Sequence, residues 1–360
     1  MEEDLLFFIY PPAFLSAIDG IRRIAKGEIR NKIKEIIEIS NGLREMLIDR
    51  IRIVKNPSKS LSCVGIDSTW TVPHLELLYG DCALIIYGCL GSRIKEIRSE
   101  PVIYSGDDFN SFIWKRSVKL EREIAIEVLE KNDIDLIIFD GNIFPFPMVY
   151  TKDWKEWMEI ARTIDMLIKI AKRKEVSLVG IIKRVKSRYL SYLIERESPV
   201  NDKLLSSMFL KNGEYISLGR FKDFLPKYLR IVHRDRADVY IRRFWERCSE
   251  LPIGDVELVF YKARKQTQYD SATKVEILDL AGIGVDEIVN YLANMSTDTG
   301  FPAIIDWIDE IVRNEYRVLS FLRDLLEKEL MRICSDEEKE VIIKLCGFMN
   351  PQKSHIFKSI

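Results

Sequence analysis

The chain has 360 residues and is 47% hydrophobic, enough apolar mass to build one large domain or two. A formal net charge of -1 leaves no whole-molecule field that would announce nucleic acid, and the longest clean apolar stretch, Cys82 to Leu90, is too short to span a bilayer. The 6 cysteines are scattered without a CxxC pair, which argues against a disulfide framework or a zinc site; with an acidic start at Met1-Glu2-Glu3-Asp4, they point to a soluble, cytoplasmic protein.

From about Ala13 to Ile53 the spacing of Ile18, Ile21, Ile24, Ile29, Ile33 and Ile36-Ile37 predicts a helical arm, closed by Asn56-Pro57-Ser58. That arm, residues 1–58, suits self-association or partner docking, and equally packing on its own core. Strand-like runs follow at about Ser62–Ser68, Ala83–Leu90 and Pro101–Tyr104, then a helix from about Asp107 to Glu130 and a strand at Asp135–Asp140. Two prolines in the run Asn142-Ile143-Phe144-Pro145-Phe146-Pro147 predict a loop. A helix over about Trp154–Arg173 leads to a strand at Ser177–Ile182. This order predicts an α/β protein whose mixed sheet has antiparallel first strands and helical crossovers later, with helices flanking it. Residues of about 189–250 read as a helical insertion, with at least one strand near Tyr228–Val232. Strands at Val256–Ala263 and Lys274–Leu278 precede a helical tail from about Val285. The boundaries expected are 1–58, a central domain over 59–320 and a C-terminal helical tail over 321–360. Abundant Ile, Lys, Glu and Arg with little Gln is a thermophile-like bias.

Two strands end in a way that matters for chemistry. Val64-Gly65-Ile66-Asp67-Ser68-Thr69 and Asp135-Leu136-Ile137-Ile138-Phe139-Asp140-Gly141-Asn142 are each apolar, β-branched runs ending on an aspartate beside small or turn-forming residues. Neighbouring strands would thus deliver Asp67 and Asp140 to one sheet edge, where two carboxylates can hold a divalent metal. In the helix between them, Glu121 shares a stripe with Ile124, Ala125 and Val128, a costly place for a carboxylate unless it is paired with an arginine or bound to a metal. Glu123 and Glu127 read as more solvent-facing. Asp67, Glu121 and Asp140 together make a hard-oxygen site suited to Mn²⁺ or Mg²⁺ and to phosphodiester hydrolysis. The blander reading is two strands that end on turn-forming aspartates.

Lys183 follows the strand Gly180-Ile181-Ile182, where a cation can hold a phosphate or simply sit in a loop. Arg184, Lys186 and Arg188 extend it into a basic cluster, Lys262, Arg264 and Lys265 form another, and Arg220–Arg247 carries nine Lys or Arg against four Asp or Glu. These are either solvated faces or a basic path for a nucleic-acid strand. Phe244 and Trp245 could stack on bases or pack in the core. His74, His233 and His355 lack a ligand spacing, and the chain has no GxxxxGK[ST] phosphate loop, GxGxxG or nucleophile elbow.

In order along the chain, Gly65-Ile66-Asp67-Ser68, Glu121, Phe139-Asp140-Gly141-Asn142, Gly180-Ile181-Ile182-Lys183, Phe260-Tyr261-Lys262-Ala263-Arg264 and Thr299-Gly300-Phe301-Pro302 resemble the NurA nuclease family of archaea and some bacteria. The resemblance extends over about residues 60 to 315 and rests on the order of the motifs. It implies an RNase H-like core and a Mn²⁺- or Mg²⁺-dependent DNA nuclease cutting single strands and duplex ends from the 5′ side. It also implies a homodimer docked on a hexameric HerA-type ATPase during end resection for double-strand break repair. Asp67, Glu121 and Asp140 would be metal ligands, Lys183 an accessory phosphate contact, and Tyr261 would match a family tyrosine. The chain departs from the family where Ser68-Thr69 replaces Gly-Ser, and where Ile304-Ile305-Asp306-Trp307-Ile308-Asp309-Glu310 lacks a histidine. Asp309 falls closest to that position; it can ligate a metal but cannot act as a cationic acid. The rival expectations are a scaffold that binds DNA and the ATPase but cuts poorly, and an RNase H-fold enzyme acting on RNA or a hybrid.

Overall fold

The computed structural model describes residues 29–71, 75–77, 80–264 and 271–317, with isolated positions at 21, 27, 328, 329, 332 and 335. Most of the N-terminal arm, the 321–360 tail, His74, His355 and Lys265 lie outside the described residues.

Ten strands form one sheet: β1 (Arg52–Ile53), β2 (Cys63–Trp70), β3 (Leu75–Leu77), β4 (Gly80–Gly91), β5 (Lys95–Tyr104), β6 (Leu136–Asp140), β7 (Ser177–Ile182), β8 (Glu214–Arg220), β9 (Glu257–Tyr261) and β10 (Thr273–Leu278). Across the sheet the order is β1-β8-β9-β10-β7-β6-β2-β4, with β3 and β5 both paired to β4. The β5-β4-β2 group is antiparallel, whereas β6 runs parallel to β2 and β7 parallel to β6. This is the strand order of an RNase H-like core, extended on the β7 side by antiparallel β10, β9, β8 and β1.

Helices cover both faces. On one face lie α2 (Phe109–Lys131) and α4 (Met158–Arg173), the crossovers into β6 and β7. The alternation of a strand sorts its side chains: Ile137 and Phe139 of β6 join the core under α2 and α4, whereas Leu136 and Ile138 join the opposite core with α8 (Val285–Asn294) and α9 (Ala303–Arg317). A helix start is encoded at α2, where the Asp108 side chain accepts the Ser111 amide at 3.0 Å. On the other face α9 lies against β2 because Gly65 has no side chain. A Cβ there would sit 3.0 Å from Ile304 Cγ1 and 3.1 Å from the Ile304 carbonyl.

The structure corrects several expected elements. The strand in the 189–250 region is β8, not Tyr228–Val232, which lies inside α6 (Phe221–Val232). There Phe221, Phe224, Leu225 and Leu229 are buried at helical spacing, and that stripe outweighs the β-prone Tyr-Leu-Arg-Ile-Val run. The region also holds α5 (Asp202–Phe209) and α7 (Ala237–Glu250), and β8 pairs with β1 and β9 in the sheet. The predicted loop holds over 142–145, and from Phe146 the chain enters the short helix α3 (Phe146–Tyr150), with Pro147 in its first turn where no amide partner is lost. The described end of the arm, α1 (Arg30–Met46), buries Ile39 and Leu43 in the main core, and its Arg44 forks onto Glu214 of β8 at 2.7 and 2.9 Å. Among the described residues no helix is long and apolar enough to cross a membrane.

Candidate active site

The alternation that builds the two cores also selects the face of each acid. Val64 and Ile66 of β2 point into the α2 core, so Gly65 and Asp67 face α9. Asp140 shares the face of Leu136 and Ile138, again toward α9. Asp309 comes down from α9 itself. The three carboxylates converge, each with an oxygen within 4.8 Å of the others. Lys183, just past the end of β7, bridges two of them, 2.7 Å from Asp140 and 3.0 Å from Asp309. Arg313, one turn beyond on α9, lies 2.7 Å from Asp309.

Asp67 is 6% exposed and, among the described residues, has no Lys or Arg paired to it; the Ser68 amide donates to it at 2.7 Å. Burial, then Asp140, Glu121 and Asp309, push its carboxyl well above the ordinary range. Burial likewise raises Asp140, although Lys183 opposes it. For Lys183 burial is the largest effect and would lower its pKa, but Asp140 and Asp309 together leave it raised, so it stays an ammonium. Three crowded hard-oxygen donors with one bridging lysine hold excess negative charge. The donor set fits Mn²⁺ or Mg²⁺, which favour carboxylate oxygens, and offers no sulfur or imidazole.

Residues 64–314 match the profile of the NurA domain. The chain belongs to the NurA family. Solved NurA structures share its fold. One, bound to dAMP and manganese, has 11% identity, covers 91% of this chain and 99% of its own, and superposes with a TM-score of 0.56. Another, with manganese, gives 11% identity, coverage of 86% and 98%, and a TM-score of 0.56. The NurA nuclease from Sulfolobus solfataricus gives 13%, 87% and 98%, and 0.52. No curated protein sequence matches the chain.

Glu121 stands apart from the aspartate cluster of this NurA chain. It rises from α2 on the opposite face of the sheet and meets Ser68, whose hydroxyl donates to it and lies 2.5 Å from the Ser117 hydroxyl. Its other oxygen takes the guanidinium of Arg122, so the arginine pairing foreseen for this stripe is present. Glu121 is close enough to feel Asp140, and burial raises its carboxyl despite Arg122 and Ser68. Glu123 is on the surface beside Lys119, 3.6 Å away.

Arg122 had no signal of its own, since a charged residue after a stripe position reads as solvent-facing. It is 2% exposed, stacks 4.1 Å from the Phe139 ring and donates to the carbonyls of Asn142 and Ile143. It therefore joins the helix of Glu121 to the turn after Asp140. From the far side Glu276 of β10 holds the same turn, accepting from Asn142 Nδ2 at 2.6 Å and the Ile143 amide at 3.1 Å.

The expected DNA contacts divide. Arg184 and Lys186 are exposed in the loop after Lys183, and Arg188 pairs with Glu197 at 2.6 Å. Lys262 is 4% exposed and donates to the Ser207 carbonyl at 3.0 Å, which puts it inside the protein and off any surface path. Arg264 is exposed but spends its guanidinium on Val54 and Asn56. In the Arg220–Arg247 stretch, Lys222 pairs with Asp255, Arg242 with Glu246 and Arg247 with Glu250. Phe244 is buried in the core and Trp245 is exposed. Tyr261 is fully buried, 2.9 Å from the Ser296 hydroxyl.

Proposed function

We propose that this NurA-family chain is a metal-dependent DNA nuclease, a single-strand endonuclease and 5′-to-3′ exonuclease that works in end resection as a homodimer with a HerA-type hexameric ATPase. The observation that carries the reading is the convergence of Asp67, Asp140 and Asp309 from two strands and a covering helix onto one point, with Lys183 beside them. Family membership supports nuclease chemistry, and manganese in two solved relatives supports the choice of ion.

Asp67, Asp140 and Asp309 would hold Mn²⁺ or Mg²⁺, and Glu121, its oxygens engaged by Ser68 and Arg122, would support the site through Ser68 beside Asp67 rather than as a direct ligand in this arrangement. A divalent ion held there would supply a water of lowered pKa and would offset charge on the leaving oxygen. The chain's own groups set up that chemistry. The Ser68 amide fixes one oxygen of Asp67. Arg122 and Ser68 orient Glu121, and Arg122 and Glu276 hold the turn that aims Asp140. Lys183 keeps a fixed positive charge between Asp140 and Asp309. Asp309 stands near the position of the family's histidine, so the leaving oxygen takes its proton from solvent rather than from an imidazolium.

The test is cleavage of 5′- and 3′-labelled single-stranded DNA by the full chain with Mn²⁺, Mg²⁺ or EDTA, with and without the ATPase. Metal-dependent products shortened from the 5′ end support the proposal. No cutting by folded protein under any of these conditions supports the scaffold reading, and preferential cutting of RNA of the same sequence supports the RNA reading.

A further inference from the structure

The lysine expected to hold substrate phosphate is already engaged. Lys183 lies 2.7 Å from Asp140 and 3.0 Å from Asp309, and its charge is used within the acidic cluster. Arg313, the next cation, is held by Asp309 as well. A polyanionic strand approaching this cluster meets more carboxylates than free cations. Some other positive group must receive the backbone beside the scissile phosphate.

One group is placed to do so. Lys203, in the first turn of α5, sends its ammonium to the carbonyl of Lys183 at 3.2 Å. Its charge lies 5.0 Å from the centre of the Phe301 ring, and the Lys183 ammonium lies 5.7 Å from the centre of the same ring. Phe301 is half-buried, so it forms a floor shared by the two lysines. Among the described residues no carboxylate pairs with Lys203, whereas Lys183, Arg188, Lys222 and Arg247 all have one. A half-buried ammonium held by one carbonyl and one aromatic face retains donors for an anion. Its placement is built: Asn201 caps α5 by accepting the Leu204 amide at 2.9 Å, and Asp202 accepts the amides of Tyr189 and Leu190 at 2.9 and 2.8 Å. The helix is thereby tied to the segment that follows Lys183.

We infer that Lys203, set across Phe301 from Lys183, binds the backbone phosphate next to the scissile one, so that the site selects a strand over an isolated phosphodiester. This rests on the nuclease reading above. Such a contact contributes a screened, sequence-independent attraction. Lys203→Ala therefore lowers the salt dependence of single-strand binding by about one phosphate contact, a slope change of about 0.7 in log K against log salt. Lys203→Arg restores it.

The experiment measures binding of a fluorescent oligothymidylate by the full chain in EDTA over a salt series, and kcat/KM with Mn²⁺ on that oligonucleotide and on a dinucleotide with one phosphodiester. The expected result is the loss of slope in Lys203→Ala, its recovery in Lys203→Arg, and a roughly tenfold fall in the oligonucleotide-to-dinucleotide ratio of kcat/KM, the size of one charge-assisted hydrogen bond. An unchanged slope, or equal losses on both substrates, overturns the inference while the nuclease reading stands. A wild-type chain that neither binds nor cuts DNA overturns both.

Discussion

Arg122 is the residue on which the site's internal order turns. It is buried between a carboxylate, two carbonyls and an aromatic ring, and among the described residues its Nε has no hydrogen-bond partner. Removing it leaves Glu121 as a buried charge without its cation. Arg122→Ala should therefore destabilise the chain by about 3–5 kcal/mol in urea unfolding, the usual cost of breaking a buried ion pair from one side. A loss below about 1 kcal/mol, as for an exposed pair, would show that Glu121 does not depend on it. A second prediction concerns a half-buried residue further along the same helix. Hydrogen bonds from Arg98, and less strongly from Lys131, hold the Glu127 carboxyl down to about 2 from its ordinary 4.5. A depressed folded pKa gives stability that is full above 4.5 and lost as pH falls through about 2. The difference in urea midpoint between wild type and Glu127→Gln should shrink across that window; a difference that is flat from pH 5 to 2 would sink the assignment. The three acids read as candidates from the sequence were Asp67, Glu121 and Asp140, and Asp309 entered through the family resemblance. Strand ends on aspartate are legible locally. The buried roles of Arg122 and Glu276 are not, because a charge inside a helix stripe or a central strand becomes informative only once its partner across the sheet is known.

At the level of elements, the site depends on how closely backbone approaches backbone. The turn after Asp140 passes so near β7 that a Cβ on Gly180 would lie 2.5 Å from the Gly141 carbonyl and 3.0 Å from the Ile143 amide. Gly180→Ala should push that turn away from Glu276 and Arg122, cost about 1–3 kcal/mol by overpacking, and reduce cleavage more than stability alone explains. Unchanged cleavage with a stability loss would show that the turn's position does not matter to the acids. The same closeness separates legible elements from misread ones. β6 and β7 are apolar except for Asp140 at the end of one and Ser177 at the start of the other, and they ended where their patterns ended. β8 was missed because Glu-Tyr-Ile-Ser-Leu-Gly-Arg mixes polar and apolar residues: Glu214 is held by Arg44 of α1, and Ser217 by Glu257 of β9. Both partners are distant in sequence, so local patterning had no access to them.

On the scale of the molecule, a net charge of -1 is divided unevenly, with three carboxylates gathered at one point. Mixed sheet, flanking helices and the antiparallel-then-parallel order were legible because strand length, β-branching and helical spacing change abruptly along the chain. β9 and β10 were legible as strands, but the outer end of the extension was not, since β1 pairs with β8 across a long stretch of chain, Arg52 with Tyr215. The fold brings Asp67, Asp140 and Asp309 together, where they would hold a divalent ion. Calorimetric titration of Mn²⁺ into the metal-stripped full chain, beside Asp67→Asn, tests it most directly. Saturable binding by the wild type is expected, weakened at least about tenfold in the variant, whose melting temperature in EDTA stays level or rises because a buried like charge is gone. No binding by folded wild type, or equal binding by the variant, would contradict it.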